Sequence, residues 1–485
     1  MRIVVVGGGT AGAFATALIK SKRPDYDVVN VRSAEIPIIG VGESTTPIIV
    51  RVLNDCGILN EFISRKDVVW PKYGVKFVDW HDKPHYNGWA INGFRQETMV
   101  FLYGLTKGED KFLGRLDDRI DQGLIPYNKN GDKFYSVVGA HIDASDTSEF
   151  VFEKFKDKVT NILGTVTDVH VSEKGIEGIQ VGDQRISGDV YIDCTGFRRR
   201  LISALSYEVS GKPRLVKSEL PPNAAAYLPI TEKKQSHDFW TTATAGEAGW
   251  MWNIPFENRN GAGYVYNDDN YTKDQAAKEL ADIYGVDPDI VGHFKFEGGW
   301  LEQPAVKNVF SMGLAAGFLD ALDASSLHIT FRQIYNFLDF EDNPNEYNRA
   351  VRRDYRRIHE YISLYYQTCN YKSPFWDSIK KLTNRQMEDK FIAMYDTDRW
   401  DDYDLSGFTN SVIARIIANR IDIPHERLLK CLNRIKFSDM KHAINEFNIV
   451  KDMYVPWDKN IWMKNMLDTN EFVKVDQREL EWNNR

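Results

Sequence analysis

The first nineteen residues constrain the fold more than any other stretch. Arg2-Ile-Val-Val-Val6 is a short apolar, β-branched run, Gly7-Gly8-Gly9-Thr10-Ala11-Gly12 follows at once, and Ala13-Phe-Ala-Thr-Ala-Leu-Ile19 is rich in alanine. That order reads as a buried strand, a tight glycine turn and a helix. Within the G-x-G-x-x-G spacing, Gly7 permits the turn, Gly9 lets a pyrophosphate approach the backbone, and Gly12 lets helix and strand pack closely. The helix N-terminus, from Thr10 and Ala11, then offers free N–H groups and a partial positive charge to a diphosphate. The expectation is a dinucleotide site; a purely structural glycine turn is the alternative.

The remaining composition narrows the classes. At roughly 100–200 residues per domain, 485 residues make a few domains or one large composite, and 43% hydrophobic residues supply its core. A net charge of −8 gives no reason to expect nucleic-acid binding. Cys56, Cys194, Cys369 and Cys431 are widely separated, so neither a disulfide framework nor a metal site is expected. Free thiols suit a reducing cytosol. A strand starting at residue 2 leaves no room for a signal peptide, and no apolar run reaches the ~20 residues of a membrane span. A soluble, cytoplasmic protein is expected, with no membrane contact. Aromatic residues are abundant, which suits a flat apolar ligand, although most belong to a core.

Along the chain, Tyr26–Val31 reads as a second strand. A dinucleotide site usually carries an acid at its end; here Arg32 stands there, with Glu35 three residues on. Gly40-Val-Gly42-Glu43-Ser44 is glycine-punctuated, with a helix start at Ser44-Thr45-Thr46-Pro47. Its glycines and hydroxyls suit a backbone strap along a ligand, or an ordinary loop. Trp70–Trp80 begins as a turn and ends as a strand, with Val75, Phe77 and Asp79 on one face and Lys76, Val78 and Trp80 on the other. Read from burial statistics alone, Lys72 is a surface residue. Residues 81–150 show little pattern until a helix from Ser148 to about Lys158. Alternating strands fill Val166–Ile186 around a turn at Glu173-Lys174-Gly175. Val190–Asp193 is a strand running into Cys194-Thr195-Gly196, and Arg198-Arg199-Arg200 reads as a solvated basic turn within reach of a phosphate. Trp250-Met-Trp252-Asn-Ile254-Pro255 places two tryptophans on one face of a strand that Pro255 ends. A strand after Lys307 leads into Gly313-Leu-Ala-Ala-Gly317-Phe318-Leu319-Asp320, with a helix from Ser325 to Phe340. Helices are expected at Tyr347–Tyr365, Thr383–Met394, Ser411–Ala418 and Glu426–Arg434.

Taken in order, Gly7–Gly12, Gly40–Ser44, Lys72 in Pro71–Trp80, Asp193–Phe197, Trp250–Pro255 and Gly313–Phe318 resemble the flavin-dependent tryptophan halogenase family from residue 1 to about 340. The W-x-W-x-I-P element is its most specific part, absent from general flavoprotein hydroxylases. The resemblance implies an α/β fold: an FAD-binding Rossmann-like module, glutathione-reductase/p-hydroxybenzoate-hydroxylase-like, with mixed β-sheets over residues 1–340 and strand insertions around 80–150 and 205–305. A mostly helical substrate module covers 341–485. It implies that a separate flavin reductase supplies FADH2, that O2 and halide give hypohalous acid at the flavin, and that this acid travels to an electron-rich arene such as tryptophan, another indole or a phenol.

Site roles follow from the same resemblance. Lys72 hydrogen-bonds the hypohalous acid or carries the halogen, and Asp323 takes the place of the family's glutamate. Gly7, Gly9, Thr10, Ala11, Gly12, Arg32, Gly42, Glu43, Ser44, Gly313, Phe318 and Leu319 fall at the cofactor. Trp250, Trp252, Ile254 and Pro255 shield the flavin from the arene. Desolvation in a dry passage lowers a lysine pKa, and a carboxylate stabilises a cationic arenium. The chain departs from the family's Pro-Leu-Glu-Ser-Thr-Gly pattern by reading Ala321-Leu322-Asp323-Ala324-Ser325-Ser326. Asp323 is one methylene shorter than glutamate. Ser325 and Ser326 fall where the halide is cradled, and Ser326 replaces a glycine, which restricts the backbone if φ is positive there. A preference for bromide or iodide over chloride is the expectation. An FAD-dependent aromatic hydroxylase and a non-catalytic flavin-binding protein are the alternatives; self-association is left open.

Overall fold

The computed structural model describes residues 1–36, 43–65, 68–82, 84–88, 94–109, 116–127, 138–205, 213–230, 238–257, 259–396, 410–451 and 453–469. The opening valines form the strand Arg2–Val6, which lies in the middle of a six-stranded sheet. Across that sheet the order is Ala305–Val306, Val309–Ser311, Val190–Asp193, Arg2–Val6, Asp27–Arg32 and Thr160–Leu163. All neighbours are parallel except the first pair. Such strands are covered on both faces, which is why they read as continuous β-branched runs. Because the strands are parallel, the turns after Val6, Arg32, Asp193 and Ser311 emerge along one edge. In open α/β sheets that carboxyl edge is where ligands bind.

The glycine-turn helix, Thr10–Lys22, packs between the helices Ala144–Phe155 and Ser325–Phe340. Phe14 meets Phe331 edge-on at 5.2 Å, and both rings are fully buried. Burial of such a ring contributes roughly 1.5–3 kcal/mol. The Ala144–Phe155 helix begins four residues before the expected Ser148, because Asp143 caps it by accepting from the N–H groups of Ser145 and Asp146. At the end of Val190–Asp193, the Asp193 carboxylate accepts from Thr195 N and Oγ1, Leu201 N and Ile202 N, tying the following turn to the sheet.

A second sheet has seven strands in the order Gly292–Lys295, Ala224–Ile230, Asn260–Tyr266, Gly249–Pro255, Trp240–Gly246, Gly74–Val78 and His85–Gly88. One face takes the helix Lys273–Tyr284, whose Ala276, Ala277, Leu280 and Ala281 pack with Met251 and Tyr264. The opposite face, with Trp250, Trp252, Ile254, Val75 and Phe77, joins the main core. That core is one cluster running from Ile3 to Met466. Trp80 departs from the expected alternation. The strand stops at Val78, Asp79 turns with φ of 63°, and Trp80 swings onto the Phe77 face, 5.6 Å from that ring.

A third, three-stranded sheet places Glu43–Ser44 and Val69–Lys72 on either side of Gly139–Ile142. The later helices are Pro344–Thr368, Pro374–Ser378, Asn384–Asp396, Asn410–Ala418, His425–Leu432 and Phe437–Lys451. Helices also lie where none was expected, among them Phe94–Lys107 and Phe437–Lys451, which pack on each other through Met99, Val100, Met440 and Ala443. In the second, Met440, Ala443, Ile444 and Phe447 already stand at helical spacing.

Candidate active site

The carboxyl edge of the parallel sheet assembles the glycine motifs. Gly7 has φ of 148°, and a Cβ there would stand 2.4 Å from the Cys194 carbonyl oxygen. A Cβ on Gly12 would lie 2.3 Å from the Gly7 carbonyl oxygen. Both glycines are therefore demanded by packing. Gly9 is different. A Cβ there would meet nothing within 4 Å among the described residues, although Gly9 caps the helix, whose first-turn N–H groups have no partner within the helix. The helix N-terminus therefore opens onto free space, a cradle of the shape that suits an anion. Gly313, with φ of 61°, closes one side of it, since its Cβ would stand 2.8 Å from Ala11 Cβ.

Arg32 stands beside the same turn. Its guanidinium lies 4.1 Å over the Phe152 ring, Nη1 bonds Glu149 at 2.9 Å, and Nε is buried without a hydrogen-bond partner among the described residues. An acid does stand at the glycine turn, but it is Glu43 from the third sheet. Thr10 Oγ1 donates to Glu43 Oε2 at 2.8 Å. Burial pushes the Glu43 carboxyl up to about 7, opposed by the Thr10 bond. Glu35 lies outward, on Thr165. Ser44 shares a hydrogen bond with Thr241 at 2.8 Å. Gly42 and Gly40 lie outside the described residues. Phe318 is half-buried, edge-on to Phe296 at 4.9 Å, and Leu319 is buried. Arg199 is no solvated turn residue: its Nε donates to the Ala315 carbonyl at 3.1 Å.

Lys72 ends the strand Val69–Lys72, opposite Gly139, and its side chain is 0% exposed. The surface reading fails because the third sheet is covered: the helix Ile48–Asp55 packs on Gly139–Ile142, and Ser44 and His141 both hydrogen-bond Thr241 of the seven-stranded sheet. Desolvation lowers the Lys72 amine to about 8, and the charge of Asp323 opposes that fall. Asp323 is 4% exposed. Its carboxyl is raised to about 6 by burial, opposed by Lys72, Tyr361, Asn87 and His328. Two groups remote in sequence are thus both buried and close enough to feel each other's charge, which partly offsets the desolvation of each.

The Asp323 turn is built with effort. Asp323 and Ala324 both adopt left-handed backbone, with φ of 55° and 60°, at about 1–2 kcal/mol each for residues bearing a Cβ. Asp320 supports the turn. It accepts from Trp250 Nε1 at 3.2 Å, Leu322 N at 3.0 Å and Tyr366 Oη at 2.7 Å. Burial raises this carboxyl to about 6 as well. Ser325 Oγ donates to the Asp320 carbonyl at 3.1 Å. Ser326 lies within the first turn of its helix and is not among the positive-φ residues. The strain falls two and three residues earlier, so the backbone argument for an altered halide preference does not hold at Ser326.

Trp250 and Trp252 lie side by side, with ring centroids 6.3 Å apart, and Ile254 and Pro255 complete the buried strand. Trp252 lies over Gly263, where a Cβ would strike its ring at 2.0 Å. Several neighbours carry no sequence signal: Asn87, Tyr361, Tyr365, Asp320 and His328. Tyr361 and Tyr365 stand four apart on Pro344–Thr368, a spacing that marks a shared helix face but not what it faces. Tyr365 stacks on Phe77 at 4.3 Å, and Phe77 on His85 at 4.6 Å, making an aromatic wall beside the carboxylate. Thr46 Oγ1 meets His328 Nδ1 at 3.1 Å, and the Glu43–Ser44 strand touches the Leu322–Ala324 turn. The two regions are therefore in direct contact.

The chain matches the tryptophan halogenase family over residues 2–431. It is 28% identical over 421 residues to the tryptophan 6-halogenase ThaL of Streptomyces albogriseolus, covering 78% of this chain and 79% of that one. It is 25% identical over 436 residues to the tryptophan 7-halogenase RebH of Lentzea aerocolonigenes, covering 81% of each. The crystal structure of the tryptophan 6-halogenase SttH from Streptomyces toxytricini superposes with a TM-score of 0.77 at 21% identity, over 96% of this chain and 99% of that one. With the glycine cradle, the paired tryptophans and the buried lysine on the page, the conclusion is direct: the chain belongs to the tryptophan halogenase family, flavin-dependent enzymes that halogenate aromatic rings using reduced flavin, oxygen and halide.

Proposed function

We propose that this protein halogenates an indole or another electron-rich arene by electrophilic substitution, with Lys72 and Asp323 as the groups that handle the halogen donor and the ring. The observation that carries this reading is the buried pair itself. A lysine and an aspartate, each in a dry pocket and each shifted toward neutrality by burial, have no structural need to be there. The protonated Lys72 amine hydrogen-bonds hypohalous acid and raises the electrophilicity of its halogen. The Asp323 carboxylate stabilises the cationic ring intermediate and takes up the proton that the ring loses.

The fit to FAD rests on the open cradle at Gly9 and the orphaned Arg32 Nε. Gly7, Gly9, Thr10, Ala11 and Gly12 would hold the pyrophosphate, with Arg32, Glu43, Ser44, Gly313, Phe318 and Leu319 around it. Bound reduced FAD supplies the oxidation of halide by oxygen. Ser325 and Ser326 are the halide residues of this reading, and Trp250, Trp252, Ile254 and Pro255 keep arene and flavin apart. Residues 1–340 form the cofactor module and 341–485 supply the arene side. A separate reductase delivers the flavin in the cytoplasm, where Cys56, Cys194, Cys369 and Cys431 stay as free thiols. Among the described residues, no helix is long and apolar enough to cross a membrane.

The test is mass spectrometry of a panel of indoles and phenols after incubation with reduced FAD, oxygen and chloride, bromide or iodide. Halogenated product is expected. Oxygen insertion instead would make the protein a hydroxylase, and no product with any halide would make it a flavin-binding protein without this chemistry.

A further inference from the structure

Resting on that reading of Asp323, the surroundings of its two oxygens divide their work. Oδ2 accepts from Asn87 Nδ2 at 2.5 Å and from Tyr361 Oη at 2.7 Å. Asn87 Nδ2 also donates to Tyr361 Oη at 2.8 Å, closing a triangle, and the Tyr361 and Tyr365 hydroxyls are 3.1 Å apart. With its own proton on Oδ2, Tyr361 accepts from its other neighbours. Oδ1 is buried and has no hydrogen-bond partner among the described residues.

We propose that Asn87 and Tyr361 are positioning residues that commit Oδ2 to the protein and hold Oδ1 as the single working oxygen of Asp323. The reason lies in the short side chain and in the backbone that carries it. A carboxylate flips about its terminal torsion with little hindrance, which would present either oxygen to the reacting ring. Two donors on Oδ2, delivered from the strand His85–Gly88 and from the helix Pro344–Thr368, remove that freedom. The left-handed pair Asp323–Ala324 aims the side chain at them. Both donors also favour the charged form, so that the carboxylate stays ready to accept a proton despite its burial. The other titratable groups packed around it are Lys72 from the third sheet, His328 from the following helix, Tyr365 beside Tyr361, His85 on the Asn87 strand, and Asp320 on the same turn.

The test uses Tyr361→Phe, which keeps the ring, and Asn87→Ala. Removing either donor takes away a hydrogen bond to a charged group, equivalent to roughly tenfold to a hundredfold in kcat, with KM for the arene nearly unchanged. The acid limb of the kcat–pH profile moves to higher pH by about one unit, because the carboxylate has lost support for its charge. A packing role would lower activity without moving that limb. A second readout needs no turnover: the carboxyl stretch of Asp323, isolated as the infrared difference from Asp323→Asn and titrated with pH. Its midpoint rises in both variants. Should wild-type enzyme halogenate nothing while the infrared midpoint still shifts, the functional reading falls and the positioning stands. An active wild type whose variants keep both its pH profile and its midpoint overturns the positioning alone.

Discussion

The buried pair makes an unusual demand on stability. Asp323 is raised from its ordinary 3.8 to about 6 and Lys72 lowered from 10.5 to about 8. Each displacement, at 1.36 kcal/mol per tenfold, costs the ionised fold on the order of 3 kcal/mol. The native state binds extra protons between about pH 4 and 6, so stability falls there as pH rises through the Asp323 range. It binds fewer protons than the unfolded chain between about pH 8 and 10.5, so stability recovers there as pH rises. The pair is most expensive between about 6 and 8, the window in which both groups are charged. Replacing it with the double variant Lys72→Met/Asp323→Asn should therefore stabilise the fold near pH 7 by a few kcal/mol, as neutral replacements of buried ion pairs do. For a chain of this size the unfolding entropy makes that about 1 °C per kcal/mol, so a rise of about 3 °C in Tm is expected, with halogenation lost. The assay is thermal unfolding of wild type and double variant at a fixed scan rate from pH 5 to 10. The gap between them should be widest near neutrality and narrow on both sides. A double variant no more stable than wild type at pH 7, or a gap that ignores pH, would refute the reasoning.

Other outcomes follow from the same geometry. Lys72→Ala should abolish halogenated product while flavin binding and reoxidation stay intact; normal turnover would remove the amine from the chemistry. With Asp323 ionised above about 6 and Lys72 protonated below about 8, kcat/KM should trace a bell between those limits, and a flat profile across that span would contradict the pairing. Gly9→Ala should leave the apo fold within about 0.5 kcal/mol of wild type and weaken FAD binding, since the new methyl enters the cradle; Gly12→Ala should destabilise the fold itself, because its methyl strikes the Gly7 carbonyl. Equal FAD affinity in Gly9→Ala would mean that the pyrophosphate lies elsewhere.

Some of this protein was legible in its sequence because the signals are short-range. The strand, glycine turn and helix at residues 2–22 depend on neighbours a few positions apart, and Ser325–Phe340 starts and stops where its residues say. The W-x-W strand showed its face by simple alternation. Other features were decided only when distant segments met. Trp80 was misplaced because one left-handed residue, Asp79, breaks the alternation, and no neighbour announces it. Lys72 reads as a surface residue in isolation; it is buried because its strand pairs with Gly139–Ile142, and its partner carboxylate arrives from a turn far along the chain. Asn87, Tyr361 and Asp320 are ordinary residues whose roles exist only as distances to Asp323 and its turn. Local propensity writes the elements into the sequence, whereas desolvation and charge pairing depend on what surrounds a group in space, and that only the folded chain supplies.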